Sequence, residues 1–147
     1  MISIIIPNYN EEQNLPNQLT FLQSKAEQFS IEIIIANSPD TTDRSSEICK
    51  SYSKAHFFDC DKSGRAVQMN LGAAKANGEI LLFLHADVKL PEDFYEQIIN
   101  AIKNGNQFGF FAYKFDRNSL MLNLNSYFTK NDGIFAGAGD QAQFITK

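Results

Sequence analysis

His85 and Asp87 stand two residues apart, directly after the apolar run Ile80-Leu81-Leu82-Phe83-Leu84. An imidazole and a carboxylate at that point bring a group that exchanges protons near neutral pH and a hard oxygen ligand for a divalent cation. Each also has a plainer reading. Asp87 suits a turn bonded to its own backbone, and His85 suits a hydrogen-bonded structural role, since no second His or Cys stands at ligand spacing. Two further polar clusters follow apolar runs in the same way: Asn8-Tyr9-Asn10-Glu11-Glu12 after residues 2–6 and Pro7, and Asn37-Ser38-Pro39-Asp40-Thr41-Thr42-Asp43 after residues 31–36. Asp40 and Asp43 read first as turn and cap residues. Arg65 falls in the first turn of an expected helix, where the macrodipole disfavours a cation unless an anion lies nearby.

The elements that must position these residues alternate along the chain. Residues 2–6 form a buried strand closed by Pro7, and residues 14–28 a helix with Leu15, Leu19 and Leu22 on one face. Residues 31–36 form a second strand, Asp43 caps a helix running to about Tyr52, and residues 55–58 form a short third strand. Ser63 suits the N-cap of a helix over residues 64–76, ended by Asn77-Gly78; the 80–84 strand and a helix starting at Pro91 follow. Residues 107–115 read as an aromatic-rich strand, 118–129 as a helix whose alternating leucines also fit a strand, and 142–145 as strand-like. The β-α alternation predicts an α/β fold, a mostly parallel sheet flanked by helices on both faces. In such a sheet the three polar clusters come together at the carboxyl ends of the strands, where open α/β sheets bind ligands.

The chain has 147 residues, 44% hydrophobic and 20% charged, with thirteen Phe and no Trp, enough for one packed domain spanning residues 1–147. Its net charge of −4 and scattered Lys and Arg exclude the electrostatic footprint of a nucleic-acid partner. Cys49 and Cys60, without a leader or a CxxC spacing, read as reduced thiols in a cytoplasmic protein. No apolar run is long enough to span a bilayer, so any membrane contact is expected to be peripheral. Neither GxGxxG nor GxxxxGK[ST] is present, so a bound diphosphate would rest on Mg²⁺ or Mn²⁺ held by Asp87. A nucleotidyltransferase is disfavoured because the loop PNYNEEQN lacks the glycines such enzymes carry after the first strand.

The stretches SIIIPNYNEEQNL, EIIIANSPDTTDRSSEIC, KSGRAVQMNLGAAKANGEILLFLHADVKLP and GDQAQFI resemble, in that order, the motifs of family 2 glycosyltransferases, nucleotide-sugar enzymes of the GT-A fold. Within that family they resemble a bacterial subgroup whose metal motif reads His-Ala-Asp where most relatives have Asp-X-Asp. The resemblance implies that Pro7, Tyr9, Asn10 and Glu11 line the nucleotide pocket, with Glu11 contacting ribose or base. Asn37 stands where the family usually has an Asp that hydrogen-bonds the base, and Asp40 belongs to the same substrate-binding set. Arg65 would approach base or diphosphate, Asp87 would hold the metal, and His85, replacing the first acid, would contact sugar or phosphate. Asp140 falls in the acceptor-side region. The reaction implied is metal-assisted, inverting transfer of a sugar from a nucleoside diphosphate to an unspecified acceptor hydroxyl.

Two departures bear on that expectation. Asn37 keeps an acceptor and adds a donor, so base preference does not carry over. Relatives continue into a segment with a Glu-Asp pair whose Asp usually acts as general base, whereas this sequence stops at Lys147. Three expectations follow: a truncated transferase that is an inactive fragment lacking the general base, a transferase in which Asp140 has taken over as base, or a non-catalytic nucleotide-sugar binding module. Apolar surface left open around residues 108–115 and 120–128 would favour a homo-oligomer.

Overall fold

The computed structural model describes residues 1–111 and 142–147. Two isoleucine-rich strands, β1 (Ile2–Asn8) and β2 (Ile31–Asn37), pair in parallel from Ile2 opposite Ile31 to Asn8 opposite Asn37. β3 (Ala55–Asp59) extends the sheet beyond β2, and β4 (Ile80–Phe83) pairs in parallel with the other side of β1. β6 (Gln143–Thr146) runs antiparallel to β4 and to the edge strand β5 (Phe108–Phe110). The sheet order is β3-β2-β1-β4-β6-β5, so the chain reverses its direction of travel between β1 and β4. The crevice at the carboxyl ends of these two strands is the topological switch point.

The alternation of the strands divides the core in two. Ile2, Ile4, Ile6, Ile33, Ile35 and Leu82 face one way and pack against Leu15, Leu19 and Leu22 of α1 (Leu15–Ala26), Cys49 of α2 (Ser45–Lys50), and Phe94 and Ile98 of α4 (Phe94–Lys103). Ile5, Ile34 and Leu81 face the other way, toward Ala73 of α3 (Arg65–Lys75) and Ala76. Each fully buried Ile or Leu contributes about 1.5–3 kcal/mol, and the first cluster holds most of them. The α3 face relies instead on close approach, because a Cβ added at Gly72 would stand 2.5 Å from Ile5 Cγ2. The three leucines expected on the buried face of the first helix are all fully buried, and the mostly parallel sheet with helices on both faces is as expected.

Several boundaries differ from the sequence expectation, each for a local reason. Pro7 does not close β1 but lies inside it, opposite Ala36. Leu84 N donates to Ile5 O at 2.9 Å as the last β1–β4 bond, and strand alternation puts the Pro7 nitrogen on that same side. With no N–H to donate, Pro7 ends the ladder there and lets the two strands part. α3 is capped by Gly64 at φ 127°, a conformation that favours glycine, rather than by Ser63, whose hydroxyl donates to Asp40 instead. α2 begins at Ser45, and Asp43 caps it from outside by accepting from Ser45 N at 3.0 Å. α4 begins at Phe94, because Phe94 N closes a turn on Pro91 O at 3.1 Å before the helix starts. The strand expected over 107–115 is seen as Phe108–Phe110, and its part beyond Phe111 lies outside the described residues, as do the helix expected over 118–129 and Asp140.

Candidate functional site

Where β1 and β4 separate, a cleft of about 360 Å³ opens. Pro7, Tyr9 and Glu11 line it from the loop after β1, and Ser38 and Asp40 from the loop after β2. Ser63, Gly64, Arg65 and Gln68 line it from the start of α3, and His85, Ala86 and Asp87 from the end of β4. The three polar clusters of the sequence thus converge on one cavity. Asp87 and Arg65 are exposed, whereas His85 is 7% exposed, an imidazole set into the wall.

The two loops after β1 and β2 are laced together by backbone hydrogen bonds to side chains. Asn10, at φ 54°, accepts on Oδ1 from Thr42 N at 2.8 Å and Asp43 N at 3.3 Å. Asparagine is one of the few residues that take that conformation readily. Glu11 N donates to Ser45 Oγ at 2.9 Å, and Glu12 N donates to Asp43 Oδ2 at 2.9 Å. Burial pushes the Asp43 carboxyl up, but the hydrogen bonds from Ser45 and from the Glu12 backbone outweigh it and leave the group below its ordinary value. Asn10 therefore sits beside the cleft as a fastener rather than lining it.

Beneath the loops runs a polar ladder across three strands. Asn8 Nδ2 donates to Asn37 Oδ1 at 2.6 Å, and Asn37 Nδ2 donates to Asp59 Oδ1 at 2.8 Å and to Ser46 Oγ at 3.3 Å. Thr41 Oγ1 also donates to Asn37 Oδ1, at 2.9 Å. Asn37 is 4% exposed and stands behind the lining residues, with both amide hydrogens and its oxygen engaged. Of the residues singled out from the sequence, Pro7, Tyr9, Glu11, Asp40, Arg65, His85 and Asp87 meet in the cleft. Asn10 and Asn37 support its walls. Sequence reasoning missed Ser38, Ser63 and Gln68. The signal for Gln68 was available: it lies three residues after Arg65 and four before Gly72, on the helix stripe that faces the sheet.

Among the described residues no group of three or more His, Cys, Asp or Glu side chains is placed to hold a metal ion. Asp87 is an exposed carboxylate in a cleft that Asp40, Glu11 and Arg65 also line, and a carboxylate so placed suits a hard cation that takes most of its oxygens from a bound diphosphate and water. No helix among the described residues is long and apolar enough to cross a membrane.

An open, mostly parallel sheet with a polar cleft at its switch point is an α/β architecture consistent with the GT-A fold. Residues 3–141 match the pattern of Glycosyl transferase family 2, and the chain belongs to that family. It is 28% identical over 108 residues to the dolichol-phosphate mannosyltransferase of Pyrococcus furiosus, across 71% of this chain and 31% of that protein. It is 31% identical over 118 residues to the dolichyl-phosphate beta-glucosyltransferase of Drosophila melanogaster, across 69% of this chain and 35% of that one. The chain spans about a third of the length of these curated relatives. Its fold is similar to that of a mannosyltransferase from Pyrobaculum calidifontis solved in complex with GDP-Man and Mn²⁺, with a TM-score of 0.69 at 20% identity over 98% of this chain and 44% of that one.

Proposed function

We propose that the cleft binds a nucleoside-diphosphate sugar and that the chain takes part in transfer of the sugar to an acceptor hydroxyl. The observation that carries this reading is the convergence of Asp87, Arg65 and the loops after β1 and β2 on one cavity at the switch point of a family 2 glycosyltransferase domain. Tyr9 and Glu11 lie on the wall suited to base and ribose, and Arg65 provides a cation for the diphosphate. Asp87 would hold Mg²⁺ or Mn²⁺. When bound, that ion neutralises charge developing on the leaving diphosphate, an effect worth several kcal/mol in such reactions. His85, recessed in the wall, is positioned for a sugar or phosphate oxygen. Asp140 is assigned as the base that takes the acceptor proton while the acceptor oxygen bonds to the anomeric carbon and the nucleoside diphosphate leaves from the opposite face, so that the configuration inverts. Cys49 and Cys60, both buried and unpaired, fit a reducing cytoplasmic setting.

Calorimetry of uridine and guanosine diphosphate, with Mn²⁺ and with chelator, tests the donor site. Metal-dependent binding of one of them is expected, and no binding of either would sink the reading. Release of nucleoside diphosphate in the presence of candidate acceptors then separates a transferase from a binding module.

A further inference from the structure

Gln68 is the one cleft-lining residue of α3 that is buried, at 3% exposure, and its side chain points at backbone rather than at solvent. Its Nε2 donates to Asn8 O and to Ala36 O, both at 2.8 Å. Those carbonyls belong to neighbouring strands, at the positions where β1 and β2 run out into the two loops that wall the cleft. Asn8 O also accepts from Ser38 N at 2.8 Å, so the same atom ties the second loop. The backbone N–H of Gln68 closes the first turn of α3 on Gly64 O at 3.0 Å. One residue therefore joins three walls: the loop after β1, the loop after β2, and the helical turn that begins with Arg65.

Arg65 stands at the first position of α3, the turn that Gln68 ties to the strands. A cation in the first turn of a helix is opposed by the macrodipole, and an exposed arginine has many rotamers to lose. Gly72, one turn beyond Gln68, lets α3 approach Ile5, but that contact fixes the middle of the helix and not its start. We infer that Gln68 is a positioning residue for the nucleotide site, holding the first turn of α3 and the two loops in register so that Arg65 meets the diphosphate bound between them. The inference rests on the donor-site reading given above. Gln68 does not itself touch the reacting atoms, and both of its amide hydrogens are spent on the strand carbonyls.

Replacing Gln68 by methionine keeps the volume and removes both donors. Binding of uridine and guanosine diphosphate with Mn²⁺ would be measured by calorimetry, well below the melting temperature, for wild type, Gln68→Met, Arg65→Ala and the double variant. Gln68→Met is expected to weaken binding about tenfold. The double variant is expected to bind no more weakly than Arg65→Ala alone, because a displaced arginine and a missing one are the same loss. Ile98→Ala, a core lesion on the opposite face of the sheet, serves as a control for lowered stability and is expected to bind like wild type. The inference is overturned if Gln68→Met binds like wild type, if its loss multiplies with that of Arg65→Ala, or if Ile98→Ala weakens binding equally. Absence of binding by the wild type would be a different result, overturning the donor-site reading and this inference with it.

Discussion

Arg65 and Asp87 face the same cleft from different walls, and each permits a test that separates binding from folding. Arg65 is exposed at the first position of α3, so Arg65→Ala should shift the melting temperature by no more than about 2 °C while weakening nucleoside-diphosphate binding about tenfold or more. A melt run beside a titration checks this, and a large fall in melting temperature at unchanged affinity would make Arg65 structural. Asp87→Asn keeps the shape and removes the charge that suits a hard cation. Its nucleotide affinity should be the same with Mn²⁺ and with chelator, at about the value of the chelated wild type; retained metal dependence would move the metal role elsewhere. At this scale the sequence was readable for side chains that end a strand and enter the cleft directly. It placed Asn37 at the nucleotide base and not behind the lining, because nothing in residue order says that its amide meets Asn8, Thr41, Ser46 and Asp59 at once.

The loops after β1 and β2 depend on ionised carboxylates, which links the cleft's walls to pH. Asp43 accepts from Glu12 N and Ser45 N and titrates below its ordinary value of 3.8. Glu32 behaves similarly: burial raises it, but hydrogen bonds from Ser3 and Asn77 outweigh that and leave it below 4.5. A carboxyl whose folded value is depressed contributes stability that is fully present above its unfolded value and is lost as pH falls through the folded one. The melting temperature should therefore hold from pH 7 to about pH 5 and fall steeply below about pH 4. Asp43→Asn should melt a few degrees lower at pH 7 and approach the wild type in acid. Circular-dichroism melts from pH 3 to 7 follow both curves. Parallel curves would remove Asp43 from the acid response.

For the whole molecule, the pair of strands β5 and β6 carries an exposed apolar pair among the described residues. Phe108 is 72% exposed and Ile145, its register partner across the strand pair, is 44% exposed. Two adjacent large apolar side chains at a sheet edge invite association between copies, and a net charge of −4 offers only modest repulsion. Light scattering should show the chain self-associating as its concentration rises, and Phe108→Lys should shift it toward monomer without lowering its melting temperature. A wild-type chain that stays monomeric at the highest concentrations would refute this.

Hydrophobic periodicity and chain punctuation determined the α/β order, the buried leucine stripe of α1 and the three polar strand ends, because these follow from local patterns repeated over a few residues. Pairing partners are not local. That β4 returns beside β1 and so creates the switch point, that β6 enters antiparallel, and that Pro7 parts two strands instead of ending one were decided when the strands packed. So was the role of Gln68. Read alone, it is a polar residue in a small-residue helix; only the approach of α3 to the seam between β1 and β2 puts two carbonyls within reach of its amide.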